Sequence, residues 1–147
     1  MPTSMMPFLV AISTWVSRLP QPLIRMSATR VARDLRKILV GLEVRRGLQY
    51  QDGAAAPDIV CGGVLTPECK RRKKCDPLGA LLQAERDAVP GSMPVAICKD
   101  DHKPATVTMR LEILAELLDA EADLEGPVVT MLYSDFLLVL QRWWAGR

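Results

Sequence analysis

Pro57-Asp58-Ile59-Val60-Cys61-Gly62-Gly63-Val64-Leu65-Thr66-Pro67-Glu68-Cys69-Lys70-Arg71-Arg72-Lys73-Lys74 is the stretch whose reading decides the fold. It reads as a strand, a glycine turn, a second strand and a basic run. Gly62-Gly63 supplies the positive-φ freedom that a tight reversal needs. Asp58-Ile59-Val60 and Val64-Leu65-Thr66 flank it with β-branched and apolar residues. Alternation along the second strand puts Glu68 and Lys70 on one face and the Cys69 side chain on the other. If the strands pair as a hairpin, Asp58 can lie across from Glu68. A turn of about three to five residues leaves the register open. Two carboxylates and an ammonium then converge at a sheet edge, with cations just beyond.

That grouping suits metal-dependent phosphodiester hydrolysis. A hard cation such as Mg²⁺ takes oxygen ligands and completes a small protein shell with water and phosphate. Asp58 and Glu68 are the candidate carboxylates, and the backbone carbonyl of Cys69 can add a third oxygen. Lys70 is placed to orient the attacking water or offset charge in the transition state. Arg71, Arg72, Lys73 and Lys74 are candidates to hold flanking phosphates. The plainer reading is an ordinary hairpin with a solvated charged edge.

Pro57-Asp58 followed ten residues on by Glu68-Cys69-Lys70 resembles the PD-(D/E)xK nuclease motif. Val44-Arg45-Arg46-Gly47-Leu48-Gln49 precedes it. Leu81-Leu82-Gln83-Ala84-Glu85-Arg86-Asp87 and Pro94-Val95-Ala96-Ile97-Cys98-Lys99 follow. The resemblance covers roughly Ser27 to Ala120. It is to the small single-domain branch, similar to Holliday junction resolvase-like and prophage-type nucleases. It implies an α/β fold with a mixed central sheet flanked by helices, a restriction-endonuclease-like core. It also implies a Mg²⁺-dependent DNA endonuclease acting on DNA, with Mn²⁺ as a substitute metal. Assembly as a homodimer would favour a junction substrate, because two active sites must cut two strands symmetrically. By the same resemblance Gln83 is the polar helix residue that approaches the scissile phosphate. Its alternative is a surface glutamine. Nucleases of this kind often carry a glutamate on the first helix that approaches the metal. None stands here, and Asp34, the only carboxylate on that helix, reads as a surface residue. The departure keeps a second function in view: a nuclease-like module that binds nucleic acid, or serves in assembly, without cutting.

Composition sets wider bounds. The chain has 147 residues, enough for one domain with a sizeable core. Apolar residues make up 49% and charged residues 24%, ordinary for a globular protein. Net charge is +2, so partners must be read from local pattern instead. Basic residues cluster at Arg45-Arg46 and Lys70–Lys74, while Asp119, Glu121, Asp123 and Glu125 gather late. A basic face with an acidic late segment fits a nucleic-acid enzyme. Cys61, Cys69, Cys75 and Cys98 form no CxxC, and His102 is the only histidine. Free thiols in a reducing cytoplasm fit better than a zinc site or a disulfide framework.

Met1 to Arg25 stands apart. Pro7 to Val16 is apolar but lacks a positive n-region, and Arg18 ends it too soon for a membrane span. Three readings compete: a loosely ordered extension, a short amphipathic helix docked on the domain, or sequence upstream of a start at Met26. The nuclease-like domain is then residues 26–147. Ser27 caps a helix to about Val40, with Val31, Leu35, Ile38 and Leu39 on one face. Glu43–Arg46 reads as a first strand, and Arg45 and Arg46 point to opposite faces, so one of them can reach DNA. Gly47–Ala56 reads as a loop, where Gln49 and Tyr50 could touch a nucleotide. Asp76 caps the next helix with Pro77 at its first position, and Leu78, Leu81, Leu82 and Ala84 form its expected buried stripe. Val95–Cys98 reads as a central strand, Lys99–Pro104 as a turn, Thr106–Met109 as a strand and Leu111–Leu118 as a helix. Val107-Thr108-Met109-Arg110-Leu111 is echoed by Val129-Thr130-Met131-Leu132-Tyr133, each before a leucine-rich stretch. This reads as a second strand–helix unit on the sheet edge. Trp143-Trp144 at its end reads as core packing, with a dimer contact as the alternative.

Overall fold

The computed structural model describes residues 27–47 and 58–147. Pro57, Gln49, Tyr50 and the whole stretch before Ser27 lie outside the described residues. The glycine turn forms as its chemistry demands. Gly62 and Gly63 sit at φ 57° and 78°, the positive pair a type I′ turn requires. Val64 N–H closes the turn on the Cys61 carbonyl at 3.1 Å, and pairing resumes with Cys61 opposite Leu65. A Cβ on Gly62 would also meet the Leu42 side chain at 3.2 Å.

Around this turn the chain orders as α1 (Ala28–Ile38), β1 (Val44–Arg46), β2 (Ile59–Cys61), β3 (Leu65–Arg72) and α2 (Pro77–Asp87). Next come β4 (Met93–Asp100), β5 (Thr106–Arg110), α3 (Leu111–Leu117), β6 (Val128–Leu132) and α4 (Tyr133–Ala145). One six-stranded sheet runs in sequence order from β1 to β6. Every neighbouring pair is antiparallel except β3–β4, which is parallel. A parallel neighbour needs a crossover, and α2 supplies it. Helices cover both faces, so the domain is α/β with a mixed sheet, as expected.

The two faces are built differently. Val31, Leu35 and Leu39 of α1 and Tyr133, Phe136 and Leu140 of α4 pack on Leu65, Val95, Ile97, Val107 and Met109 of the sheet. The other face carries α2 through small residues: Ala80 and Leu81 cluster with Cys75, Ala96 and Cys98, and Ala84 is fully buried. This corrects the expected leucine stripe. Leu81 and Ala84 of that stripe are fully buried, but Leu78 and Leu82 are 49% and 47% exposed, because the helix meets the sheet over Ala80, Leu81 and Ala84 and turns those two leucines outward.

Capping residues act where expected. Ser27 Oγ accepts from Arg30 N–H at 3.1 Å, and Asp76 Oδ1 from Gly79 N–H at 3.1 Å. Asp34 is a second correction. It is half-buried and accepts the Tyr133 hydroxyl at 2.8 Å, with Arg30 Nε at 3.6 Å. It therefore ties α1 to α4 instead of facing solvent. Burial and that carboxylate push the Tyr133 hydroxyl well above the usual phenol range. The sequence echo becomes two strand–helix units, β5–α3 and β6–α4, with Val107 opposite Met131. Trp144 Nε1 donates to the Val40 carbonyl at 3.2 Å, and both tryptophans pack against the main core. Among the described residues no helix is long and apolar enough to cross a membrane.

Candidate functional site

Ile59 and Cys61 face the main core, so Asp58 and Val60 face the α2 side. Leu65 and Cys69 face that core too, which turns Thr66, Glu68 and Lys70 to the α2 side. β2 and β3 pair at Cys61–Leu65, and an antiparallel course from there brings Asp58, just before β2, alongside the Glu68–Cys69 segment. The hydrogen bonds agree: Asp58 Oδ2 accepts Cys69 N–H at 3.2 Å. Lys70 Nζ lies 2.9 Å from Glu68 Oε1. The structure thus brings Asp58, Glu68, Lys70 and the Cys69 backbone into one place.

The pair is unequal. Glu68 is 3% exposed, while the Lys70 side chain keeps 25% of its surface. Burial pushes the Glu68 carboxyl up. The Lys70 hydrogen bond pulls it back, and the charges of Asp58 and Asp87 push it up again; the net direction is upward. Glu68 stands beside Ala96 and Lys70 beside Cys98 in the parallel register, on the face carrying α2. Helix α2 packs mainly on β4 and β3, so Glu68 is covered while Asp58, just before β2, is half-buried.

Among the described residues no group of three or more His, Cys, Asp or Glu side chains is arranged to hold a metal ion. A zinc-like cage is thus not what the geometry offers. Two carboxylates with a backbone carbonyl are a donor set of hard oxygens that fits Mg²⁺ or Mn²⁺, which keep several waters. Gln83 is half-buried on α2, and its side chain makes no hydrogen bond to another described residue. Asp87, one turn further on, was not singled out by sequence. Its signal was available: it continues the Ala80–Ala84 stripe at helical spacing.

The basic run splits in two. Arg71 and Arg72 finish β3, and Lys73 and Lys74 follow it; all four are exposed. Lys99 lies beside Arg71 in the register and extends this rim, a contribution the strand reading missed. Its ammonium donates to the Asp100 carbonyl at 2.9 Å and to the Lys103 carbonyl. Arg45 pairs with Val60 and so faces the site side, where its Nε contacts Glu43 at 2.9 Å. Arg46 faces the other way and reaches Thr29 Oγ1 at 3.4 Å. Of the two, Arg45 alone is directed toward the site.

All four cysteines are free thiols. Burial pushes Cys61 up to about 12, and burial together with Cys75 pushes Cys98 to about 12, so neither is a nucleophile near neutral pH. An open cleft of about 510 Å³ lies elsewhere, lined by Glu85, Pro94, Arg110, Glu112, Ile113, Glu125 and Gly126. Arg110 braces it with bonds of 3.1 and 2.9 Å to Glu85, and none of the site residues above lines it. No family model, curated protein or solved structure matches this chain.

Proposed function

We propose that this protein is a metal-dependent DNA endonuclease whose mixed sheet is a restriction-endonuclease-like core. The observation that carries the reading is the convergence of Asp58, Glu68 and Lys70 on one face of the β2–β3 hairpin, with Lys70 2.9 Å from Glu68. Asp58 and Glu68 hold Mg²⁺ (or Mn²⁺), joined by the Cys69 carbonyl. When bound, the cation polarises the scissile phosphate and acidifies a water. Lys70 gives its second role to that water: an ammonium fixed beside a buried carboxylate is already oriented to stabilise charge that develops at phosphorus. Gln83 donates to the phosphate or the water from above. Arg71, Arg72, Lys73 and Lys74 grip the flanking backbone, with Arg45 on the opposite flank. A homodimer would set two such sites on a branched substrate.

The binding-module reading retains one specific support. Asp34, the only α1 carboxylate, is committed to Tyr133 on the far face of the sheet. No acidic group of the first helix then assists the metal. Plasmid, linear and four-way-junction DNA incubated with and without Mg²⁺ separate the two. Metal-dependent cleavage supports the enzyme; DNA binding with no cleavage under Mg²⁺ or Mn²⁺ supports the module.

A further inference from the structure

Helix α2 reaches its sheet through Ala80 and Ala84. Asp87 stands three residues past Ala84 and seven past Ala80, so it ends the same inward stripe. It occupies the last helical position, followed by Ala88 as the cap. A helix that crosses back from the end of β3 to the start of β4 brings its last turn over the beginning of both strands. Thr66 and Glu68 lie there. Their neighbourhood is tied together by the Thr66–Ser92 hydroxyl contact of 2.6 Å.

Three features make Asp87 costly as a purely structural residue. Its Oδ2 is inaccessible to solvent and has no hydrogen-bond partner among the described residues. It sits at the negative end of the helix, where a carboxylate is disfavoured. Its charge also acts on Glu68 with the same sign as that of Asp58. Asp58, Glu68 and Asp87 thus gather about the single ammonium of Lys70, an excess of acidic groups in a partly buried place. A chain selected for stability alone would place an asparagine or alanine at this position.

We infer that Asp87 is a positioning residue for a divalent cation held by Asp58 and Glu68. The inference rests on the nuclease reading above and adds to it a third carboxylate on α2. A doubly charged cation offsets that acidic excess. Because among the described residues no three His, Cys, Asp or Glu side chains are grouped to hold a metal directly, Asp87 acts through water in the cation's shell, with Oδ2 as acceptor. Gln83, four residues earlier, supplies a neutral donor one turn away, so α2 presents an acceptor and a donor in sequence above the hairpin.

Asp87→Asn keeps the shape and removes the charge. Two measurements need no catalysis: Mn²⁺ and Mg²⁺ affinity by calorimetry without DNA, and thermal unfolding in chelator. The metal-free variant is expected to melt about 2–4 °C higher than wild type, since a helix-end charge penalty is relieved. Its metal affinity is expected to fall about 10-fold or more. An unchanged affinity in the variant, with wild type binding normally, overturns this inference alone. A lower melting point in chelator also overturns it, since it would make Asp87 a structural residue. Wild type that binds neither Mg²⁺ nor Mn²⁺ overturns the metal-dependent reading itself, and this inference with it.

Discussion

The two faces of the sheet solve different problems. The α1–α4 face is filled by Val31, Leu35, Leu39, Phe136 and Leu140, all at or near zero exposure. Its polar contacts, Tyr133 to Asp34 and Trp144 Nε1 to the Val40 carbonyl among them, are satisfied pairs. The α2 face is lined by Leu81 and otherwise mostly by small or polar residues, among them Ala80, Ala84, Ala96, Thr66, Thr108 and Glu68. Small and polar residues bury less apolar area, so this face contributes less hydrophobic stabilisation. It holds instead a carboxylate pushed upward in pKa and an inaccessible aspartate oxygen with no partner among the described residues. Stability and candidate chemistry are thus separated by the thickness of one sheet. That separation lets polar groups cluster on one side while the other maintains the fold.

The largest expected effect is on the apolar face. Phe136→Ala should cost about 3–5 kcal/mol, since Phe136 is fully buried among both helices and the sheet. Urea unfolding measures it. A loss under about 1 kcal/mol would break the contrast by showing that this face is not the main source of stability.

Lys70→Ala tests the other face. Cleavage should fall by roughly 3 kcal/mol of transition-state stabilisation, about two orders of magnitude. DNA affinity should change little, because Arg71, Arg72, Lys73 and Lys74 remain. Lys70→Arg should also be impaired, since a broad guanidinium does not replace a compact ammonium against Glu68. Single-turnover cleavage read beside DNA binding makes the distinction. Equal losses in both would reduce Lys70 to one more phosphate contact.

Tyr133→Phe should cost about 1 kcal/mol, the net worth of one hydrogen bond to a carboxylate still near Arg30. It should leave cleavage unchanged, because the pair lies across the sheet from Glu68. Reduced cleavage at intact stability would show that the two faces communicate.

The smallest effect sharpens the helix assignment. Leu82→Gln should shift stability within about 0.5 kcal/mol, as Leu82 is 47% exposed. A loss of about 2 kcal/mol or more would restore Leu82 to the buried stripe that its sequence spacing implied.

Those spacings show how far the sequence could be read. Gly62-Gly63 between β-branched runs specifies the hairpin because only glycine takes two consecutive positive φ values cheaply. Ser27 and Asp76 mark their helix starts because they supply acceptors for otherwise unpaired N–H groups. Glu68 and Lys70 meet because strand side chains repeat every two residues. In each case the cause acts within a few residues along the chain.

What depended on distant contacts was not legible. Leu81 and Ala84 are buried as their spacing implied, but Leu78 and Leu82 misled because helical spacing is symmetric between a face and its neighbour, and only the sheet beneath decides which face is buried. That sheet presents Ala96 and Cys98, whose small side chains select Ala80 and Ala84 as partners. Asp34 resembled a surface acid until Tyr133, 99 residues away, supplied its hydrogen bond. Asp87 gained its place beside the hairpin only through the parallel β3–β4 crossover. The sequence by itself determined the turn, the caps and the local alternation that joins Glu68 to Lys70, because backbone sterics and side-chain reach act locally. Tertiary structure alone decided the pairing that brings Asp58 beside Glu68 and Cys69, the buried side of α2, the partner of Asp34 and the burial of Asp87 Oδ2. Each of those is a competition between surfaces far apart in the chain, and its outcome depends on the shape and charge of both.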